Sequence, residues 1–447
     1  MLNAGVWAGQ NKVRPGAYIN FKAVRNANVA NTDRGIVALP LALGWGVDKV
    51  IELSGDEIAD GTFTRKTACT IDDPAVQPLL EAMKYASGAL IYPIDAGGQK
   101  AKATVGEASG SLTATALYAG KKGNNISIVI KEGAVSGSFE VITLLNNISK
   151  DRQTVTKVSE LKDNDFVTFG GTAKLAANAG TALTGGTDGT VTATSVANFL
   201  AAIKTKKWNA LGLPLNGLDG KAVNASVVSY INTLRDGGKK VVAVLNNYPN
   251  ADSEGIISVD QGYKTTDETV DVDSFVGTVA GLAAGTAINQ SNTYRVISGA
   301  VEIINPKTDE EIEAGLMSGC FMLSYRQDEN VIIEQDINTL VNVGSDKNDS
   351  FKKNRVIRTL DDIANTVRST FENNYIGKVS RNEAGKNAFK AAVVKYLTSL
   401  EQLEAIQNFS SEDVEILDGE ASDTIVVNVS IQPLDAMEKL YMTVNVN

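Results

Sequence analysis

Between residues 101 and 190 the chain has no proline and no tryptophan, and Gly, Ser, Thr and Ala dominate. Short apolar runs at 126–130, 139–145 and 166–169 are separated by Gly and Asn turns, the pattern of short β-strands. The flanks read differently. Apolar runs at 35–40 and 89–94 suit buried strands, with a helical stretch over 78–87 between them. After the glycine-rich exit at 185–189, helix, strand, helix and strand follow over 195–206, 208–215, 222–236 and 240–246, with two more strands around 319–325 and 331–335. Helix–strand alternation predicts a mostly parallel sheet covered on both faces. One continuous fold cannot hold both patterns, so the sequence predicts α/β core domains with a β-rich domain inserted between their halves.

The last hundred residues change period. Leu360, Ile363, Val367 and Phe371 form an amphipathic helical stripe, and Phe389, Val393, Tyr396, Leu400 and Leu403 repeat it on a second helix. Then Ile425, Val427, Val429 and Ile431 alternate, and after Pro433 so do Leu440, Met442, Val444 and Val446. The expected class is therefore α/β and α+β multidomain, with a C-terminal α+β domain ending in exposed strands. Expected boundaries are an N-terminal arm at 1–21, the α/β domain in two parts at 22–100 and 191–345, and the β-rich insertion at 101–190. A C-terminal α+β domain at 346–439 and a C-terminal arm at 440–447 complete the chain.

Chemistry is constrained mainly by what is missing. The 447 residues include no histidine, which removes Ser–His–Asp and Cys–His nucleophile systems and every imidazole metal ligand. Cys69 and Cys320 stand alone and far apart, giving neither a disulfide framework nor a zinc site. Gly220-Lys221 is followed by Ala222, so there is no P-loop hydroxyl, and no G-x-S-x-G elbow occurs. Acid pairs at Asp72-Asp73, Asp163-x-Asp165, Asp271-x-Asp273 and Asp361-Asp362 lack the glycine turn and terminal glutamate of a calcium loop. They read as turns, caps or solvated faces, with Asp361-Asp362 placed near a helix start where the dipole favours them. No catalytic residue, metal or cofactor is expected. The net charge of -10 argues against a nucleic-acid binder. The start lacks the apolar core of a signal peptide, and glycines break the run at 276–287, so neither export nor membrane insertion is expected.

Charge is unevenly spread. Residues 351–400 carry ten Lys/Arg and four acids, a net +6 against -16 for the remainder. Lys386 and Lys390 are one helical turn apart, with Lys378 and Arg381 in the loop before them. This is a candidate basic patch for an acidic partner or another copy, and it also fits a plain solvated helix face. Ala17, Tyr18, Ile19, Asn20 and Phe21 form a short extended run after Pro15-Gly16, which also suits a frayed terminus. That run and the terminal alternating segment offer strand edges, made safe by pairing with a neighbouring chain. Copies that grip one another head to tail build an open array. A surface-array or adhesin subunit would share the acidic, Thr/Ala/Gly-rich composition but lacks its export signal here. A histidine-free α/β enzyme would need convergent carboxylates or lysines.

Asn354-Arg355-Val356-Ile357-Arg358 leads into the first C-terminal helix, which closes on Asn373-Asn374-Tyr375-Ile376-Gly377-Lys378-Val379. With the second helix and the closing strands, this resembles tail sheath proteins of contractile phage tails, a sheath shared by R-type bacteriocins. The likeness extends to Arg14-Pro15-Gly16-Ala17-Tyr18-Ile19, to Gly120-Lys121-Lys122-Gly123-Asn124-Asn125-Ile126 and to Gly281-Leu282-Ala283-Ala284-Gly285-Thr286. The resemblance implies a virion component that assembles helically around a tail tube in the host cytoplasm, then contracts to drive the tube through a bacterial envelope. Implied partners are itself, the tube protein, and the baseplate and tail terminator proteins. Residues 17–21 together with Leu440, Met442, Val444 and Val446 would be inter-subunit arms. Lys378, Arg381, Lys386 and Lys390 would face the tube, and the insertion would lie outside.

Overall fold

A computed structural model describes residues 34–445, apart from 60, 106–111, 173, 216–219 and 346. The first strand, β1 (Ile36–Leu41), is buried along nearly all its length. An edge strand, β2 (Ile51–Ser54), leads into two short helices, α1 (Gly55–Ala59) and α2 (Thr62–Thr67). Asp73 then caps a turn by accepting from the Ala75 N–H, and α3 (Gln77–Met83) and β3 (Gly88–Pro93) follow. β1 and β3 pair in parallel from Ile36↔Gly88 to Leu41↔Pro93. Pro40 lies in the middle of this sheet without an N–H to give. On its other side, however, the ladder of β1 is registered only at Val37 and Ala38, so the missing donor falls beyond it.

At Pro93 the chain leaves the body and builds two antiparallel sheets. β4 (Lys102–Val105) and β5 (Leu112–Ala116) belong to the smaller sheet, and β6 (Ile126–Glu132), β7 (Phe139–Leu145) and β8 (Ile148–Val155) to the larger. β9 (Val167–Gly170) returns to the smaller sheet and β10 (Asn178–Ala182) to the larger. Period-two burial decides the faces: Ile126, Ile128 and Ile130 point inward with Leu112, Ala114 and Ala116. The β7–β8 turn is Asn146-Asn147, both at positive φ (52° and 62°), the twist that a two-residue hairpin needs.

This insertion is not loosely tethered. Trp45, in the segment after β1, is buried in the insertion's core against Tyr118 (5.5 Å, edge-on) and Phe166 (6.4 Å). Asp95 accepts from the Leu43 and Gly44 N–H groups at 3.1 and 2.7 Å. Gly120 approaches the Gly44 carbonyl so closely that a β-carbon would clash.

The chain re-enters the body at α4 (Ala193–Ile203), opened by a Thr192/Ser195 capping box. β11 (Ala210–Leu213), α5 (Gly220–Asp236), β12 (Val242–Asn246) and β13 (Ile256–Val259) follow. The resulting sheet has the order β13-β12-β11-β1-β3-β2, parallel except for β2. On one face Val196, Phe199, Ile203, Val227 and Ile231 pack on Ala38, Leu211 and Ala243. A small sheet of β14 (Gly262–Lys264), β15 (Thr269–Val270) and β16 (Glu302–Ile304) lies beyond.

The other face of the main sheet is covered by α3 and by α6 (Val272–Gly285), which is buried from Ser274 to Ala284. The glycines that break the apolar run in the sequence have a packing reason. Gly277, Gly281 and Gly285 fall on one stripe of α6, where added β-carbons would run into the carbonyls of Pro78, Ala82 and Tyr85. Buried Glu81 of α3 locks the pair by accepting from the Tyr263 hydroxyl at 2.7 Å and the Thr278 hydroxyl at 3.0 Å.

After α7 (Asp309–Met317), the hairpin β17 (Leu323–Tyr325) and β18 (Val331–Ile333) leads to the C-terminal part. There α8 (Asn354–Asn374) and α9 (Glu383–Gln402) precede β19 (Ile406–Gln407), β20 (Val414–Asp418), β21 (Ile425–Val429) and β22 (Gln432–Pro433). β19 pairs with β22, and β20 with β21, as separate two-stranded ladders. The stripes on α8 and α9 meet through Ile363, Val367 and Phe371 against Phe389, Val393, Tyr396 and Leu400. Leu403 is a correction: it lies past the end of α9 and is exposed. Residues 434–445 form no ladder with any described strand of their own chain.

The α3–α6 contact gives a prediction with a definite sign. In a free helix Gly→Ala gains about 1 kcal/mol. Gly281→Ala should instead destabilise by about 1–3 kcal/mol, because its β-carbon overpacks against a backbone carbonyl. A lower urea midpoint is expected; a higher one would show that the helices are not in this contact.

Candidate functional site

The carboxyl end of a parallel α/β sheet is where such folds usually bind ligands, where neighbouring connections diverge. Here the region beside β1 holds Leu43 and Gly44, clamped by Asp95, and then Trp45. No cluster of three or more His, Cys, Asp or Glu suited to a metal occurs among the described residues. Burial pushes both the Cys69 and Cys320 thiols up, away from the reactive thiolate. Polar and apolar contacts among the described residues concentrate in three places.

The first is a buried polar seam under α8. Arg235 of α5 meets Asp361 with two parallel hydrogen bonds of 2.6 and 2.9 Å, and also donates to the Val241 carbonyl. Asp362 accepts from the Tyr396 hydroxyl at 2.6 Å and lies 4.0 Å from Arg34. Asp336 accepts from Arg358 at 3.1 Å, Asn354 at 2.9 Å and the Asn292 N–H at 3.0 Å. Between these groups lies a cavity of about 30 Å³, room for about one water, lined by Arg34, Asn209, Lys240, Arg358, Asp361 and Asn365. Burial pushes the Arg34 guanidinium down to about 10; Arg358 adds to this and Asp362 opposes it.

Asp361-Asp362 therefore need correction: they neither cap a helix nor face solvent. α8 begins at Asn354, so the pair falls two turns inside the helix, on its buried side. Their spacing from Arg358, three and four residues, was the available sequence signal, because it puts all three on one face. Arg235 and Arg34 could not be matched to them from sequence.

The second place is the basic segment. Lys378 and Arg381 lie between α8 and α9, while Lys386 and Lys390 are on α9. Arg381 and Lys386 converge on Asp418 of β20 at 2.8 and 3.2 Å, and Arg381 also donates to the Ser422 and Thr424 carbonyls. Lys378 bonds the Asn373 carbonyl. Neither Lys378 nor Lys390 has a carboxylate within ion-pair distance among the described residues. The charge excess of 351–400 is met largely within the chain, with Arg358 on Asp336, Lys353 on Glu438, and Arg381 with Lys386 on Asp418.

The third place is the C-terminal tail. Leu440, Met442 and Val444 are 85%, 74% and 69% exposed, with Tyr441 exposed between them. Beside the tail's root, the Glu438 side chain is largely covered. It accepts from Thr293 (2.8 Å), from Gln335 (2.7 Å) and from Lys353 in a short ion pair. Burial pushes its carboxyl up, but those three donors outweigh burial and hold it below its ordinary value. Nothing in the local pattern of residues 434–440 marked Glu438. Ala17, Tyr18, Ile19, Asn20, Phe21 and Val446 lie outside the described residues.

Residues 96–188 match the phage tail sheath protein beta-sandwich domain, 189–339 the central domain, and 346–447 the C-terminal domain. The chain is 34% identical to the phage-like element PBSX protein XkdK of Bacillus subtilis, over the whole of both chains. It is 36% identical to a sheath tail protein of Desulfitobacterium hafniense, covering 96% of this chain and 99% of that one with a TM-score of 0.81. The helical sheath of the anti-feeding prophage in its contracted state shares the fold, with 11% identity, TM-score 0.56 and coverage of 96% and 98%.

The seam predicts an asymmetric response. Asp361→Ala should cost about 3–5 kcal/mol, because it leaves the buried Arg235 charge with only its longer contact to Glu254 at 3.6 Å. Pairing it with Arg235→Met should recover most of that loss in chemical unfolding. If the double variant is as unstable as the single one, the pair does not carry the joint.

Proposed function

Since the chain belongs to the phage tail sheath family, as a structural sheath subunit, we propose that it polymerises helically around a tail tube and contracts to drive the tube through a bacterial envelope. The observation that carries this reading is the end-to-end likeness to a sheath tail protein at 36% identity, joined to a tail whose alternating apolar residues find no ladder partner among the described residues. A chain that exposes such a segment is provided for when a neighbour supplies the ladder.

In this reading residues 1–21 and 440–447 are the arms. The α/β domain over 22–100 and 191–345 is the body, 101–190 faces outward, and 346–439 is the polymerisation domain. Lys378, Arg381, Lys386 and Lys390 face the tube, with Lys378 and Lys390 supplying the charge that Asp418 does not neutralise. The tube, baseplate and tail terminator proteins are the partners, and the particle is a phage tail or an R-type bacteriocin assembled in the host cytoplasm. Arms act as tethers that stay paired while the bodies turn as rigid units. A gain of roughly a few kcal/mol per subunit, typical of repacked interfaces, is multiplied along the polymer. Neither nucleotide nor bond chemistry is needed.

Negative-stain electron microscopy across a concentration series tests this. Hollow tubes of uniform width are expected from the full chain, alone or with its tube protein. Deleting 17–21 or 440–447 should leave the domains folded by circular dichroism and abolish the tubes; normal tubes from either deletion refute the arm assignment. Lys386→Glu with Lys390→Glu should weaken capture of the tube protein by about tenfold while self-assembly persists. Unchanged capture removes the patch.

A further inference from the structure

Among residues 434–445 only Leu434, Ala436 and Glu438 are partly covered, and the rest are exposed. Met437 on one side and Leu440 on the other project into solvent, yet the Glu438 side chain is only 11% exposed. Leu434 is tied to the C-terminal domain through its N–H to the Ala405 carbonyl at 3.0 Å. The three donors to Glu438 lie before the C-terminal helices, on Thr293, Gln335 and Lys353. Between Leu434 and Glu438 the chain therefore crosses from the C-terminal domain to the body, and only then runs free.

The geometry points to Glu438 as a clasp that positions the C-terminal tail: its carboxylate, held by Thr293, Gln335 and Lys353, fixes the place and direction from which Leu440–Val444 leaves the subunit. The part concerning assembly rests on the sheath reading. Without the clasp the free segment would begin at Leu434 rather than at Lys439. Each residue adds up to about 3.3–3.6 Å of reach. A longer, less directed tether lowers the effective concentration of its end at a neighbouring edge.

The clasp is also wired into the seam under α8. Thr293 Oγ1, which donates to Glu438, accepts from the Asp336 N–H at 3.0 Å, and the Asp336 carboxylate holds Arg358 of α8. Arg358 shares the small polar cavity with Arg34, the first described residue. One run of polar contacts thus joins the root of the C-terminal tail to Arg34. The strap crosses the joint that α8 makes, so a closed clasp holds the two domains in one orientation.

The test uses the full chain with Glu438→Ala and Lys353→Met, and the exchanged pair Glu438→Lys with Lys353→Glu. Amide hydrogen exchange of the monomer, read over 435–440, reports the clasp without any assembly. Exchange there should rise tenfold or more in both loss-of-contact variants, stay unchanged over α8 and α9, and fall back toward the parent in the exchanged pair. Unchanged exchange over 435–440 overturns the clasp. The second reading is the critical concentration for tubes, expected to rise about threefold or more when the clasp is lost. If the parent forms tubes and deletion of 440–447 abolishes them, but Glu438→Ala forms them at the parent's concentration, the positioning role is overturned while the sheath reading stands. If the parent forms none even with its tube protein, the sheath reading fails and takes the assembly role with it; exchange alone then decides the clasp.

Discussion

Arg235, Arg358 and Arg34 meet Asp361, Asp336 and Asp362 beneath α8, largely away from water, and the attachment of the C-terminal domain to the body depends on that meeting. Charges taken out of water are costly unless the geometry is good and the remaining hydrogen-bonding positions are filled. Here most are filled: Asp361 takes two bonds from one guanidinium, and Asp336 is met from three directions. An apolar joint tolerates sliding, because dispersion has little direction. This joint has a preferred register, set by guanidinium planes and carboxylates, and it resists small rotations until whole contacts break.

The body achieves its own rigidity differently. α3 and α6 approach backbone to backbone because Gly277, Gly281 and Gly285 give up their side chains, while buried Glu81 ties the helices through Tyr263 and Thr278. The result is a sheet covered by a tightly paired layer on one side and by α4 and α5 on the other. Movements of the subunit therefore belong to its joints and its ends.

Much of this was legible in the sequence, for identifiable reasons. Parallel strands buried on both faces read as apolar runs, so β1, β3, β11 and β12 stood out. The insertion announced itself through short alternating strands and Asn or Gly turns, and Asn146-Asn147 is such a turn. The helix stripes on α8 and α9 found each other as expected. What stayed hidden had partners far away in the chain. Asp361 looks like a solvated acid until Arg235 is brought beneath it, 126 residues distant, and Glu438 looks like any tail glutamate until Thr293 is placed 145 residues away. The partners of the basic segment at 351–400 were hidden for the same reason, because Asp336, Asp418 and Glu438 lie outside the counted window.

Trp45 has a consequence for how such chains can change over time. The largest side chain in the insertion's core is supplied by the body, from the segment after β1, and Ala68 joins it there. The inserted sandwich is thus completed by residues it does not carry. Excision would leave an indole with no cavity to fill, and transplantation would leave a cavity with no indole. Descendants are free to lengthen or shorten the far hairpin turn between β6 and β7, whereas the near end, where Asn146 meets Asn125 and Lys122 meets Gly44, is inherited together with its host. Variation in this part of the molecule is steered outward, away from the body, by a single ring.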